Sequence, residues 1–337
     1  MKIGGNAKFV VEISSPEELI ETIAFVKSRN LPWFVMGGGS NIVANGNYRG
    51  VIILNKIRGF REINSDKNTA SFCIGAGEIL DETIQKLVSR NLSGAELLSR
   101  IPGTVGATPV QNVGAYGAEI SQILTRLTAY NVNTRQFEIL ENSDCKFAYR
   151  SSIFKSQNSR KYIITDVTLK LSKHFLRPPF YGSLQEYLLE NYPELTDNDG
   201  SDFRENIEFS PTDIRDAVAK IREDKLPDPK RIPSAGSFFK NPIVDQEFAK
   251  RFLKTNPKSP HFPMPNNQVK LAAGWLIDQA GLKGFAKFGF QIYPKNALVI
   301  THVGNSKEDN LAKFKLEIIK QVREKFNLTL EQEPEIL

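Results

Sequence analysis

Short apolar runs and helical periods succeed one another along the chain, and their order predicts a protein that mixes strands with helices. "AKFVVEI" at 7–13 reads as a strand. In "SSPEELIETIAFVKSRN", Ser15 is placed as an N-cap, Pro16 at the first helical position and Glu18 three residues after the cap. Leu19, Ile20, Ile23 and Ala24 recur there at helical spacing on one face. "PWFVM" is a second strand that runs into "GGGSN" at 37–41, and "GVIILN" at 50–55 is a third. The first 60 residues are thus an alternating α/β unit. Beyond them, "ASFCIGAGEILDETIQKLVSRNLSGAELL" predicts strand, glycine turn and helix, "LTRLTAYNVNTRQFEIL" strand, turn and strand, and "YIITDVTLKLS" a strand.

The pattern changes at Phe175. A long Pro-rich stretch follows that is irregular at first, with an acidic tract from Leu195 to Asn206 that reads as a surface excursion. "SPTDIRDAVAKIRE" then predicts a helix capped by Ser210 or Thr212, with Ile214, Val218 and Ile221 on one face. "QEFAKRFLKTNP" is an amphipathic helix, and 270–284, "KLAAGWLIDQAGLKG", is a helix with a core stripe of Leu271, Trp275 and Leu276, ending at Gly281 and Gly284. "ALVITHV" at 297–303 is a buried strand, and "SKEDNLAKFKLEIIKQVREKF" a long amphipathic helix.

A length of 337 residues suggests two or three domains, and 40% hydrophobic with 24% charged residues is the profile of a folded soluble protein. The net charge of +6 favours an acidic partner: nucleic acid, an anionic membrane or a phosphorylated small molecule. Basic residues are dispersed among acidic ones and no recognition motif appears, so nucleic acid is not expected. Neither a signal peptide nor a spanning helix is evident, which makes cytoplasmic location the default and a membrane partner unexpected. Cys73 and Cys145, each flanked by apolar or aromatic residues, read as buried small hydrophobes, and His174, His261 and His302 have no ligand spacing, so no metal is expected.

Chemistry concentrates in a few motifs. Gly37, Gly38 and Gly39 could turn successive amides toward one anion while Ser40 and Asn41 add side-chain donors. A pyrophosphate would suit them, and so would a plain tight turn; the spacing is neither GxGxxG nor a P-loop. "IPGTVGATPVQNVGAYG" has no charged residue and cannot form a regular helix or strand. Its small and flexible positions, Gly103, Gly106, Ala107, Gly114, Ala115 and Gly117, let main chain approach a planar cofactor closely; Ile101, Pro102, Pro109, Gln111, Asn112 and Tyr116 complete the candidate lining. A buried loop between two sheets is the alternative. In "KFAYRSSIFK", Arg150 beside Tyr149 could grip a carboxylate bidentately, or sit in a solvated basic turn. "IPSAGSFFKNP" sets Ser237 between Gly236 and two phenylalanines.

"GGGSN", "IPGTVGATPVQNVGAYG", "YRSSIFK", "KLPDPK", "GSFFKNP" and "KLAAGWLIDQAGLKG", in this order, closely resemble the UDP-N-acetylenolpyruvoylglucosamine reductase family over nearly the whole chain. The resemblance implies an α+β chain: an FAD-binding fold of the vanillyl-alcohol oxidase type, made of two α/β subdomains, plus a C-terminal α+β substrate-binding domain. The implied borders are 1–59 for the first FAD-binding subdomain, completed by 331–337, then 60–226 for the second with a tyrosine-loop insertion, and 227–330 for the substrate-binding domain. The implied reaction is NADPH-dependent reduction of UDP-N-acetylglucosamine enolpyruvate to UDP-N-acetylmuramate through bound FAD, by a monomer.

By motif match, Ser237 resembles the family's proton donor to C2 of the enolpyruvyl group. A hydroxyl suffices there because the partner is an enolate-like carbon, a strong base. Arg150 and Glu335 resemble the arginine and glutamate that act beside it, and Lys225, Asn241 and Tyr149 resemble substrate contacts. Tyr181 in "PPFYGSL" matches the tyrosine that one subclass carries on a mobile loop over the UDP phosphates. Glu335 lies two residues from the end of the sequence, where chains fray unless packed. Two other classes compete: an FAD-dependent oxidase of the same cofactor fold, which "GSFFKNP" disfavours, and a catalytically silent nucleotide-binding protein.

Overall fold

The computed structural model describes all residues except 156–160 and 305–307. It divides into two compact units, one of residues 7–39 and 49–222 and the other of residues 1–6, 40–48 and 223–337. Its border at 222/223 lies close to the one implied at 226, while 40–48 of the implied first subdomain group with 331–337 in the C-terminal unit. The reason lies in strand pairing: Glu335–Ile336 pairs in parallel with Ile42–Val43, so residues 40–48 go with the C-terminal residues rather than with the rest of the first 59.

In the larger unit, helix α1 (Pro16–Ser28) forms where its caps say it should. Ser15 Oγ accepts the Glu18 N–H at 3.2 Å, and Glu18 Oε2 accepts the Ser14 N–H at 2.6 Å. Its buried stripe is Leu19, Thr22, Ile23 and Val26. The sequence places Ile20 and Ala24 on that face, yet both are exposed, so the stripe is rotated toward Thr22 and Val26. Leu19, Ile23 and Val26, each contributing roughly 1.5–3 kcal/mol, pack with Val51 and Ile53. Those two come from the middle strand of a three-stranded sheet, Ala7–Ile13, Tyr48–Asn55, Trp33–Met36, in which Trp33–Met36 runs parallel to Val51–Leu54.

A five-stranded antiparallel sheet follows in the order Gln136–Glu141, Leu124–Asn131, Tyr162–Ser172, Thr69–Gly75, Phe60–Ser65. Helix α2 (Leu80–Val88) lays Leu80, Ile84 and Leu87 on the cluster that contains Phe72, Ile74, Leu127, Val167 and Leu169. Cys145 is buried in that cluster, but Cys73 is only partly buried, its thiol 3.5 Å from Asp166 Oδ1, so it is not the enclosed hydrophobe expected.

The segment after Phe175 is more ordered than its prolines suggest. Helix α3 (Gly182–Asn191) and helix α4 (Pro211–Lys225) bury Leu184, Leu188, Phe209, Ile214 and Val218 in a core of their own. Phe209 makes edge-on contacts with Phe180, Tyr192 and Phe203, and Thr196 pairs with Phe203 across the acidic tract. Ser210 is the cap of α4, its Oγ accepting the Asp213 N–H at 3.2 Å.

The smaller unit has a four-stranded sheet, Ser234–Ser237, Val299–His302, Phe290–Ile292, Ala286–Lys287, and a three-stranded one, Ile243–Asp245, Gln268–Leu271, His261–Met264. Helices α5 (Gln246–Thr255), α6 (Ala273–Gln279) and α7 (Glu308–Phe326) cover a core built on Phe238, Phe239, Leu276, Phe290, Phe314 and Ile318. The helix expected over 270–284 is shorter than the sequence suggests. Lys270 and Leu271 belong to a strand paired with Ile243 and with Phe262 and His261, and the helix begins only at Ala273.

Candidate active site

In the larger unit two glycine turns abut. A Cβ on Gly37 would lie 2.3 Å from Thr104 Oγ1, and one on Gly38 3.0 Å from Gly103 Cα, so the two turns meet main chain to main chain. Only Gly39 of the three is left-handed, at φ +65°; Gly37 and Gly38 serve closeness rather than unusual torsion, a refinement of the expectation for all three. Glycines carry no side chain of their own to cover the amides of these turns, which suits a pyrophosphate, as FAD would require. Gly106 is seated as closely, since its Cβ would fall 2.4 Å from that of Ala76.

From Ile101 to Gly117 the chain is neither helix nor extended strand, apart from one turn at Val105–Ala107 and a two-residue pairing of Gly114–Ala115 with Ala118–Glu119. The segment at 150–155 is clasped along it. Arg150 donates to the Gly114 carbonyl at 3.0 Å, Ser152 to the Val110 carbonyl at 2.7 Å and Lys155 to Gln111 Oε1 at 3.1 Å. The Arg150 guanidinium also lies 5.3 Å from the centre of the Tyr149 ring. Asn112, read as a cofactor contact, is buried with its side chain turned inward: it donates to Glu119 Oε2 and the Ala148 carbonyl and accepts the Ser121 N–H. Its visible task is to hold the loop. Ile101, Pro102, Ala107, Pro109, Ala115 and Gly117 lie on the same stretch, and Gly117 has φ +85°.

Tyr116 and Tyr181 meet edge to face with ring centres 6.1 Å apart. The Tyr116 hydroxyl also lies near enough to Arg222, a residue the sequence reading passed over, to favour its charged form. Burial lowers the Arg222 pKa, opposed by Tyr116, and burial raises that of the Tyr116 hydroxyl. Arg222 Nε is sealed from solvent and has no partner among the described residues. Arg215 and Arg222 are two helical turns apart on α4, the one signal in the sequence that could have singled out this pair.

The smaller unit holds Ser237, Glu335, Asn241, Lys225, Ser40 and Asn41. Ser237 ends a strand, opposite Val299. Gly236 before it is left-handed at φ +72° and has nothing within 4 Å of a would-be Cβ, so torsion rather than close approach requires glycine there. Phe238 and Phe239 are both 1% exposed and anchor the loop as expected. The Glu333 N–H donates to the Phe238 carbonyl at 2.9 Å, Phe239 bridges Gln332, and the Lys240 N–H donates to the Glu331 carbonyl at 2.9 Å. The serine segment is therefore laced to the backbone that leads into Glu335. Glu335 itself is secured by its N–H on the Asn41 carbonyl at 3.0 Å and by the pairing with Ile42, so the end of the chain does not fray there. Asn241 Oδ1 accepts the Ala273 N–H at 2.9 Å at the start of α6, and Lys225 is exposed at the end of α4.

Comparison with known proteins gives two family matches along the chain. Residues 7–139 match the family model described as an FAD binding domain, which makes the chain a flavoprotein with the cofactor fold anticipated for it. Residues 228–337 match the C-terminal domain of UDP-N-acetylenolpyruvoylglucosamine reductase. The reductase of that name from Neisseria gonorrhoeae is 39% identical over 98% of this chain and 92% of its own length, and that from Bdellovibrio bacteriovorus 36% identical over 99% and 95%. The crystal structure of the Thermus caldophilus reductase superposes with a TM-score of 0.60 over 97% of this chain and 91% of its own, at 22% identity. The chain belongs to the UDP-N-acetylenolpyruvoylglucosamine reductase family, FAD-dependent oxidoreductases of peptidoglycan precursor synthesis. Among the described residues no cluster of His, Cys, Asp or Glu could hold a metal, and no helix is long and apolar enough to cross a membrane.

Proposed function

We propose that NADPH is the electron donor, that UDP-N-acetylglucosamine enolpyruvate is reduced to UDP-N-acetylmuramate, and that Ser237 gives the proton to C2. The turns at Gly37–Gly39 and Ile101–Gly117, with Ser40 and Asn41, would hold FAD, which when bound would supply the hydride. The single observation behind the proton-donor assignment is the lacing of the Phe238–Lys240 backbone to Glu331–Glu333, which fixes the Ser237 and Glu335 segments relative to one another. Position matters more than acidity when a hydroxyl protonates an enolate-like carbon. Glu335 is assigned beside that proton.

Arg150 and Arg222 are the cations against which carboxylate and phosphate charge is stabilised, and Arg150 is oriented for this by Gly114 and Tyr149. Lys225 is a further cation, Asn241 and Tyr149 are further substrate contacts, and Tyr181 covers the phosphates from its place against Tyr116. Residues 7–39 and 49–222 hold both glycine turns assigned to the cofactor, and the unit ending at Leu337 holds the proton donor. The protein acts as a monomer in the cytoplasm, where its nucleotide-sugar substrate and NADPH are found. The test is anaerobic: reduce the FAD-loaded protein with NADPH and add the enolpyruvyl substrate. Return of the oxidised flavin band with stoichiometric UDP-N-acetylmuramate is expected; a band that stays bleached until oxygen is admitted would sink the assignment in favour of an oxidase.

A further inference from the structure

We infer that Asp81 is a positioning residue for Arg222, acting as a clamp between α2, the start of the cofactor segment and α4. Asp81 stands in the first turn of α2. Its Oδ1 accepts the Arg215 guanidinium at 2.7 Å and the Arg100 backbone N–H at 2.6 Å. The pair is shielded, with side-chain exposure of 12% for Arg215 and 25% for Asp81, so solvent weakens it less than a surface bridge. Each partner leads to the site. Arg100 is left-handed, φ +61°, and directly precedes Ile101 of the glycine-rich stretch. Arg215 is two turns before Arg222 on the same helix, so fixing Arg215 fixes the rotation and advance of α4 at Arg222.

The charges point the same way. Arg100 repels Arg222, whereas Asp81 supports its charge, after the larger effects of burial and of Tyr116. Asp81 thus grips one guanidinium directly, that of Arg215, and acts electrostatically on those of Arg100 and Arg222, a set of three cations whose positive field suits an anionic nucleotide sugar. A bridge that merely joined α2 to α4 would need no particular register; this one ends on the helix that presents Arg222 to Tyr116.

The inference rests on the reading of Arg222 as a substrate cation, and a double-mutant cycle separates the two. The quantity is the second-order rate constant for reoxidation of the NADPH-reduced, FAD-loaded protein by UDP-N-acetylglucosamine enolpyruvate. Arg215→Ala is expected to lower it about tenfold in the wild-type background, Arg215→Lys to restore most of the loss, and Arg215→Ala to have less than about a twofold effect in an Arg222→Ala background. The flavin absorbance band should be unchanged throughout, which shows that the cofactor unit is folded. Equal losses in both backgrounds would overturn the clamp while leaving Arg222 its role. A silent Arg215→Ala beside an impaired Arg222→Ala would do the same, and a silent Arg222→Ala would remove both readings.

Discussion

Glu96 is a buried carboxyl at the turn before the cofactor segment, and its replacement by glutamine should change how stability depends on pH. Its side chain is 0% exposed. Oε2 accepts the Gly94 N–H at 2.5 Å, while Oε1 has no partner among the described residues. Burial, only partly offset by the amides of Glu96, Gly94 and Ala95, pushes the pKa from 4.5 to about 6. A carboxyl that binds its proton more tightly when folded stabilises the fold fully below its unfolded pKa. That stability is then lost as pH rises through the folded value. The rise from 4.5 to about 6 amounts to about 2 kcal/mol, at about 1.4 kcal/mol for each tenfold change in proton affinity. Glu96→Gln retains an acceptor for Gly94 and carries no charge, so its stability relative to wild type should improve by about 2 kcal/mol between pH 4 and pH 7.5. Urea unfolding of both proteins at several pH values, followed by release of flavin fluorescence, measures the difference for the FAD-binding unit. A difference that is flat with pH, or that grows toward acid, would refute the reasoning, since the carboxylate would then be satisfied in its ionised form.

Three further outcomes are expected. Ser237→Ala should leave flavin reduction by NADPH nearly intact and slow reoxidation by the enolpyruvyl substrate by at least ~100-fold; stopped-flow absorbance of the two half-reactions decides it, and equal losses in both would remove Ser237 as proton donor. Gly38→Val should yield protein with little FAD, because even its Cβ falls 3.0 Å from Gly103 Cα on main chain that cannot swing aside, and the ratio of flavin to protein absorbance after purification reports this. Gly236→Ala should lower stability by ~1 kcal/mol, since the residue must hold φ +72° but meets nothing within 4 Å; a much larger loss in thermal unfolding would mean that the loop is packed more tightly than described.

The elements that were legible in the sequence are those whose signals are local. Ser15, Pro16 and Glu18 announce α1 because a cap is a contact within four residues, and the strand Tyr162–Ser172 coincides with the stretch read as one. The failures have a common cause in contacts distant along the chain. Leu271 fits a helical stripe by spacing but is claimed by Ile243 and His261 of neighbouring strands through Lys270 and itself. Helix α3 was hidden because its apolar residues, Leu184 and Leu188, make sense only against Phe209 and Ile214, more than twenty positions on. At the site, glycine and serine motifs stood out by composition. Arg222 did not, since an arginine on an amphipathic helix reads as solvated until Tyr116 is brought to it by the fold.

Strain is distributed in a way that fits preorganisation of the site. Arg100, Asn112, Tyr116 and Arg150 all adopt the left-handed region, at φ +61°, +46°, +51° and +52°, and all lie on or against the glycine-rich stretch. For residues with a Cβ this costs roughly 1–2 kcal/mol each. Each is held by a specific contact: the Arg100 amide on Asp81, the Asn112 amide on Glu119 and Ala148, the Tyr116 ring on that of Tyr181, and the Arg150 guanidinium on the Gly114 carbonyl. Removing one such contact leaves a residue in a costly conformation with nothing to keep it there, so the loop should relax toward ordinary torsions and carry the neighbouring side chain with it. For that reason the support residues Asp81 and Glu119, which carry no chemistry of their own, should affect turnover more than their distance from the transferred hydride and proton would suggest.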